Sequence, residues 1–382
     1  MSRCVSPLAG SEEDGRLMDI LVVGGSIAGL SAAVVLGAQG HRVTVIEQAA
    51  GRRSGGVAID VRGRALETAR AMGVLDDIHA SRITANAVWN FVDSEGSVQG
   101  SWHIADELYD SPDDIELLRD RLAEILAARV PRDVVFRYDE TLTGLTQDAT
   151  SVTASYAGRA PERFDLVVGA DGLHSTVRRI AFGPERDFLH HLGSYVGLVR
   201  GAHRLADLSG MQIYNVPGRV LSVAADNPEP VAMLAFRSPW LDYDFRDTEA
   251  QKRLVLEAFD DVSGWRVPDA LAEVRACDNF YFDSIAQVRM PGWSSGRVVL
   301  VGDSGYGPSF FSGMGSSLAM IGAELLAAAL AEETSVEKAL RRYERQMRPH
   351  VDDAQSMALD GMDWLFPETQ EGIDERNAAW RK

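Results

Sequence analysis

The chain has 382 residues and carries 56 acidic side chains against 38 Lys and Arg, a net charge of −18 that opposes non-specific association with nucleic acid or anionic lipid. Hydrophobic residues make up 46% and charged residues 25%, as in a soluble globular enzyme, and the length suits two or three domains. Cys4 and Cys277 lie too far apart to form a metal or redox motif, which excludes a disulfide scaffold and points to a reducing cytoplasm.

Residues 1–18 are polar, with Glu12, Glu13 and Asp14, and lack the apolar stretch of a signal peptide; they are expected to be disordered. Asp19–Val23 is a short apolar strand, followed by a glycine cluster, a helix over 30–38, Gly40, and a second strand over 41–47 that ends in an acid. This is the first unit of a doubly wound sheet. A polar glycine loop spans 51–56, and helical spacing over 62–72 stops at Gly73. Residues 87–102 read as strands around an Asp93–Gly96 turn, and Ser111, Pro112 and Asp113 open a helix over 116–129 cut by Pro131. Strands follow over 134–146, 151–156 and 164–168.

From 189 to 282 the texture changes to short strands and turns rich in aromatic residues and Met, a mostly antiparallel sheet with one helix near 247–259. Residues 297–301 form another buried strand, then a glycine-rich loop, then a long helix from Ser316. Its Ala/Leu-rich part, 318–331, carries Glu324 and reads as a buried helix; no membrane span is expected. After 332, Glu337, Lys338, Arg341, Arg342, Glu344 and Arg345 pattern a helix whose charges suit a solvated face, with packing against the first domain or a second copy as the sharper alternative. The expected division is a discontinuous nucleotide-type domain (19–82, 111–186, 283–332), an inserted substrate domain (83–110, 187–282) and a C-terminal helical segment (333–382).

Three motifs carry chemistry. In Gly24-Gly25-Ser26-Ile27-Ala28-Gly29, Gly24 suits a tight turn, Gly29 suits close helix–strand packing, and helix N–H groups from Ser26 onward face a pyrophosphate. Ser26 stands where the pattern has its second glycine. Glu47 closes the next strand about 20 residues further on, where an acid grips the hydroxyls of an unphosphorylated adenosine ribose, as in NAD or FAD. The second motif is a strand ending in Gly169-Ala170-Asp171-Gly172, followed by Ser175 and Arg178; Asp171 either serves a ligand or caps the helix near Ser175. The third runs from Gly302 and Asp303 through Pro308 to Gly313-Met314-Gly315-Ser316. Here an acid that can accept from a polyol is followed by a helix start that stabilises negative charge.

In this order and at these separations the three motifs resemble the class A flavoprotein monooxygenases of the para-hydroxybenzoate hydroxylase type, and most of all the two-domain members that modify tetracyclines. The resemblance covers residues 19–331 and implies an α/β fold: a Rossmann-like FAD-binding domain (GR2-type) with an inserted, mostly antiparallel substrate sheet and a C-terminal helix. It implies FAD as resident cofactor, NADPH or NADH as transient reductant, O2, and hydroxylation of an aromatic or polyketide-like small molecule through a flavin hydroperoxide. No side-chain nucleophile and no metal is called for. Carried over to matching positions, Gly24 to Gly29, Glu47 and Gln48 hold the ADP half. Arg119 contacts the cofactor from the helix after the first hairpin, Asp171 and Gly172 serve FAD and NAD(P)H, and Asp303 after Gly302 takes the ribityl chain. Pro308, Gly313, Met314, Gly315 and Ser316 lie near the isoalloxazine, and the loop from Arg53 to Asp60 packs beside it. Where the family commonly has Ala-Ala-His after Gly-Asp, this chain has Ser304-Gly305-Tyr306-Gly307, and Phe310 and Phe311 thicken the loop; these differences fall near the expected flavin and substrate faces.

Met211, Tyr214, Met233, Phe236 and Trp240 are candidates to line the substrate pocket, with plain core as the alternative. The eight histidines show no ligand spacing and read as ordinary surface or core residues. Competing readings are epoxidation, Baeyer–Villiger insertion or dehydrogenation on the same fold, and a flavin-bearing binding protein with little turnover. The expected assembly is a monomer or homodimer.

Overall fold

The computed structural model describes residues 17–52, 57–83, 88–103, 114–226 and 229–381. Its centre is a six-stranded sheet in the order Ser294–Ser295, Val298–Leu300, Leu166–Gly169, Asp19–Val23, Arg42–Ile46, Val135–Arg137, parallel except for the edge pair at residues 294–300. Ile20, Leu21, Val22, Leu166, Val167 and Val168 are fully buried, which is why these strands are uninterrupted apolar runs: a parallel sheet is covered on both faces. The helix Ile27–Ala38 packs on the long helix Gly315–Glu332 and on Arg119–Arg129. By length and hydropathy Gly315–Glu332 could cross a membrane, yet ten of its 18 residues are buried in this core.

A second, seven-stranded sheet runs Phe280–Val288, Leu189–Arg200, Val231–Arg237, Arg219–Ala224, Met211–Val216, Val88–Val92, Val98–His103. All its pairings are antiparallel except that of Met211–Val216 with Val88–Val92. One face packs on the helices Thr248–Ala258 and Val267–Ala276; the other is covered by Met362, Leu365 and Phe366 of the C-terminal segment, with Val57 and Phe311 from loops of the first domain.

Several elements differ from the sequence expectation. Residues 115–118 are not helical: Ile115–Leu118 pairs antiparallel with Ala58–Val61, burying Ile115 and Leu117, and the helix starts only at Arg119. An Ile-x-Leu spacing serves either period, and the partner strand decides. The helix Val267–Ala276 was not anticipated, although Pro268 in its first turn is a start signal. The C-terminal segment holds three helices, Val336–Ser356, Ala358–Leu365 and Gln370–Ala379. The first is not simply solvated: Ala339, Leu340, Tyr343, Met347, Val351 and Ala354 form a buried stripe beneath its charges. The Tyr343 hydroxyl donates to the carbonyl of Leu300 (2.9 Å), tying this helix to a central strand. The Ser111-Pro112-Asp113 signal and residues 1–16 lie outside the described residues, while Met18 is buried, its N–H donating to His41 Nδ1 (3.3 Å).

Candidate cofactor crevice and substrate chamber

Four parallel strands end at one edge of the central sheet, at Val23, Ile46, Gly169 and Leu300, and the three sequence motifs are the turns that leave them. Gly24 has φ +105°, and a Cβ there would lie 2.3 Å from the carbonyl oxygen of Ala170. A Cβ on Gly29 would lie 1.8 Å from the carbonyl oxygen of Gly24, so the helix rests directly on the turn. Glu47 accepts from the N–H groups of Gly25 (2.9 Å) and Ala49 (2.9 Å) through separate oxygens, and retains lone pairs for a further donor. Gln48 beside it is exposed. Ser26, at the glycine position it replaces, has an extended backbone and accepts a hydrogen bond from the Arg119 guanidinium; its side chain does not cap the helix. Ile27 and Ala28 are buried, and the Ala28 methyl is 2.9 Å from where a Gly302 Cβ would stand, so the first and third turns touch.

Gly302 (φ +73°) opens a short helix whose first residue is Asp303. The Asp303 side chain is open to solvent yet walled by protein, as befits a group lining a crevice. That crowding pushes its carboxyl pKa up, Arg119 and Arg178 pull it down, and Asp283 raises it further. The nearby carboxylates of Asp283 and Asp303 add to burial in pushing the Tyr281 phenol pKa up, and Arg119 opposes them. Gly315 lies close by: a Cβ on it would be 3.7 Å from Asp303 Oδ1. Gly315 starts the long helix, and no side chain caps that end, leaving the N–H groups of Gly315 and Ser316 turned outward with positive polarity. Gly313 (φ +66°), followed by Met314, reverses the chain; a Cβ there would be 3.1 Å from Asp60 Oδ2, part of the Asp60–Arg62 ion pair (2.5 Å). Upstream, buried Gln287 donates to the Pro308 carbonyl (3.1 Å), and Ser309 holds φ +101° and ψ 153°, a region that costs a non-glycine residue about 1–3 kcal/mol. Arg53 lies outside the described residues.

Asp171 is used internally. Its oxygens accept from the Ser175 hydroxyl (2.5 Å) and the N–H groups of Thr176 (2.7 Å) and Val177 (3.0 Å), which is the capping alternative left open by the sequence. Burial pushes its pKa up and these donors oppose the rise. Gly172 (φ +80°) has open space where a side chain would be. Arg178, fully buried, binds the carbonyls of Leu173 (2.6 Å) and Ser304 (2.9 Å), holding the second turn against the third.

Sequence reasoning missed His174, and no local signal marks it, because one of its two carboxylate partners, Asp283, lies far along the chain. Its Nδ1 is 3.0 Å from Glu185 and its Nε2 3.2 Å from Asp283, and its ring stacks on Phe245 at 4.6 Å. Burial disfavours the imidazolium, but the two carboxylates outweigh it and hold the pKa up to about 9. The unfolded group titrates near 6.5, so its stabilising contribution is whole below that pH and is lost as pH rises through about 9. His174→Gln should therefore lower the free energy of unfolding by an amount that shrinks by on the order of 2 kcal/mol between pH 6 and pH 9.5 in urea titrations. A difference independent of pH would show the ring to be neutral.

The substrate-side candidates divide by face. Met211 and Met233 lie on the face of the seven-stranded sheet that packs with partly exposed Val57, Trp89, Leu192, Phe311 and Trp364, an apolar cluster beside the loop after Pro308. Tyr214 and Phe236 point the other way and pack with Tyr195, Phe259 and Phe282 under the two helices, so they are core rather than lining. Trp240, 56% exposed, leans edge-on against His191 outside the chamber. Ser304 and Tyr306 also turn from the crevice into the core. The Ser304 hydroxyl donates to the Gly169 carbonyl (2.6 Å), and the Tyr306 hydroxyl lies 3.0 Å from that of Tyr343, in a notch that only glycine at 322 leaves open.

A family model described as an FAD binding domain matches residues 17–358. An uncharacterised protein of Mycobacterium tuberculosis is 37% identical over 93% of this chain and 96% of its own. A flavin-dependent monooxygenase of Legionella longbeachae is 36% identical over 89% of this chain and 87% of its own. The crystal structure of the tetracycline destructase Tet(51) superposes with a TM-score of 0.84 at 32% identity, covering 95% of each chain. The chain thus belongs to the FAD-binding family of flavin-dependent monooxygenases, and it is an FAD-dependent oxidoreductase.

Proposed function

We propose that this chain uses NADPH or NADH and O2 to hydroxylate a planar aromatic or polyketide-like molecule held in the chamber, releasing water and NAD(P)+. The observation that carries the reading is a shared loop. On the segment from Gly302 to Gly315, Asp303 lies beside the start of the long helix and Phe311 packs on the apolar cluster that contains Met211 and Met233, which supports a cofactor and a substrate meeting across it. The likeness to a tetracycline destructase supports a polycyclic substrate.

The residues present fit FAD. Two helix N-termini without side-chain caps, Ile27–Ala38 and Gly315–Glu332, open on one crevice, and glycines stand where a Cβ would collide. Gly24 to Gly29, Glu47 and Arg119 would hold the ADP half, Asp303 the ribityl hydroxyls, and Gly315 and Ser316 the electron-rich end of the ring, with Pro308 beside it. Bound there, FAD supplies the electron relay from NAD(P)H to O2. The chain's own part is to position and to exclude water: Arg178 and Gln287 lock the loops, and Met211, Met233 and Phe311 keep the reacting face dry. Asp171 acts as a positioning residue, shaping the turn that Gly172 completes. Cys277, whose thiol pKa is pushed up by burial, suits an inert thiol of the cytoplasm.

The test is NAD(P)H oxidation by the FAD-loaded protein against a panel of hydroxylated polycyclic aromatics, with products followed under 18O2. Substrate-stimulated oxidation with one labelled oxygen added to an otherwise intact skeleton is expected. Tightly bound flavin that no ligand stimulates would favour a binding protein, and an unlabelled or ring-expanded product would favour a different reaction on the same fold.

A further inference from the structure

The buried amide of Gln287 uses every hydrogen bond it can make. Gln287 stands near the end of the strand Phe280–Val288 and is fully buried. Its Nε2 donates to the carbonyls of Pro308 (3.1 Å) and Gln355 (2.6 Å), and its Oε1 accepts from Nε (2.9 Å) and Nη2 (2.6 Å) of Arg289. A guanidinium only donates and a carbonyl only accepts, so the amide has one orientation; reversed, it would set its oxygen against two carbonyl oxygens. Gln355 answers from the helix Val336–Ser356. Its Nε2 donates to the Val288 carbonyl (2.9 Å), while the Val288 N–H donates to the Gly307 carbonyl (2.9 Å). The Gly307–Pro308 segment is thus laced from behind to a strand and a helix of the core.

The residue that follows is held in a conformation it would not choose. Ser309 has φ +101° and ψ 153°, backbone geometry that only glycine adopts freely. Its hydroxyl is buried and, among the described residues, has no partner. The peptide bonds here are trans, so turning the Pro308 carbonyl onto Gln287 sends the Ser309 N–H the other way. Among the described residues that N–H has no acceptor either. Further along, the Ser309 carbonyl accepts from the N–H (3.3 Å) and the hydroxyl (2.9 Å) of Ser312. The Ser312 oxygen accepts in turn from the N–H of Met314 (3.1 Å), the residue before the long helix begins. Strain and unmet donors meet on one residue, locked from behind and built upon in front. That combination marks a peptide held for a group outside the polypeptide.

We propose that the Pro308–Ser309 peptide presents its N–H to the flavin ring, and that Gln287 is the positioning residue that keeps it so turned against the strain at Ser309. Gln287 touches neither cofactor nor substrate. It acts by fixing the Pro308 carbonyl, and the N–H stabilises the negative charge that the ring gains on reduction. Released from the amide, Ser309 relaxes into an ordinary backbone region, the peptide rotates and the donor is lost. A residue without a side chain at 309 has no strain to relax and needs no clamp. This deepens the reading given above and rests on its placing of Pro308 beside the ring.

The readout is the two-electron midpoint potential of bound FAD, equilibrated with a reference dye in the absence of substrate, which a general loss of stability does not move. Gln287→Leu, similar in volume, should lower it by about 30 mV, a tenfold loss of preference for the reduced cofactor. Ser309→Gly alone should leave the potential in place and the melting temperature equal or higher. Added to Gln287→Leu, Ser309→Gly should restore most of the lost potential, although the carbonyls of Pro308 and Gln355 stay unpaired and melting stays low. A potential indifferent to Gln287→Leu overturns the proposal. So does a shift that Ser309→Gly fails to rescue, which is what a merely structural amide would give. Ser309→Gly by itself needs no altered clamp in order to fold, and lower melting in that variant removes the strain on which the proposal stands. If labelled product forms while the potential ignores Gln287→Leu, the clamp fails and the hydroxylase stands. If the potential behaves as described but no substrate yields an oxygenated product, the hydroxylase reading fails instead.

Discussion

Gly29→Ala should abolish flavin retention. The added methyl would stand 1.8 Å from the carbonyl oxygen of Gly24, and that obstacle is backbone, not a side chain that can swing away. Either the helix Ile27–Ala38 lifts off the first turn or the turn opens. Each displaces the N–H groups meant for the pyrophosphate, and Ala28 then loses its seat against Gly302. Overpacking of this kind costs about 3 kcal/mol, and flavin content should fall at least about a hundredfold, the equivalent of roughly 2.7 kcal/mol of binding. Gly25→Ala is the control. Its methyl meets only the Glu47 side chain (Cβ 3.3 Å, Oε2 3.5 Å, Cγ 3.6 Å), which can shift where backbone cannot, so it should keep far more flavin than Gly29→Ala. Flavin absorbance per protein after gel filtration measures both, and equal retention would refute the steric account.

Asp303→Asn separates cofactor binding from folding because the two should move in opposite directions. The protein crowded around the carboxyl and Asp283 raise its pKa against the pull of Arg119 and Arg178, so the charged form adds nothing to the empty fold; for a carboxyl held above its unfolded value, stability falls as pH climbs through the unfolded value. Removing the charge should leave the apoprotein melting at the same temperature or higher. FAD affinity should drop about tenfold to a hundredfold, the size of a lost charged hydrogen bond. Melting of apoprotein, set beside an FAD titration followed by fluorescence, reads both. A variant that melts lower but keeps its FAD would mean that Asp303 serves the fold and not the ribityl chain.

The turns at the strand ends were legible in the sequence for a steric reason. Gly24 and Gly29 stand where no side chain fits, and Glu47 and Asp303 follow closely on strands whose apolar runs are unmistakable. What stayed hidden depends on partners distant in the chain. Alternation along Met211–Val216 separates two sets of side chains but does not say which set faces the loops; only the packing of the sheet puts Met211 in the cluster with Phe311 and Ala358–Leu365 and Tyr214 in the cluster under the other two helices. His174 depends on Asp283, more than a hundred residues away. Asp171 illustrates a different limit, since the same carboxylate at a strand end suits a ligand or a helix cap, and three donors within six residues choose the cap. The buried stripe of Val336–Ser356 was masked by the charges between its members.

The position of Trp364 has a consequence for biosynthesis. On the ribosome the residues proposed for the cofactor, through Ser316, emerge before the helix Val336–Ser356, and Trp364 emerges after it. A chain cut short before Ala358 therefore keeps every one of the former and lacks the aromatic cover that the last helices lay on the second sheet.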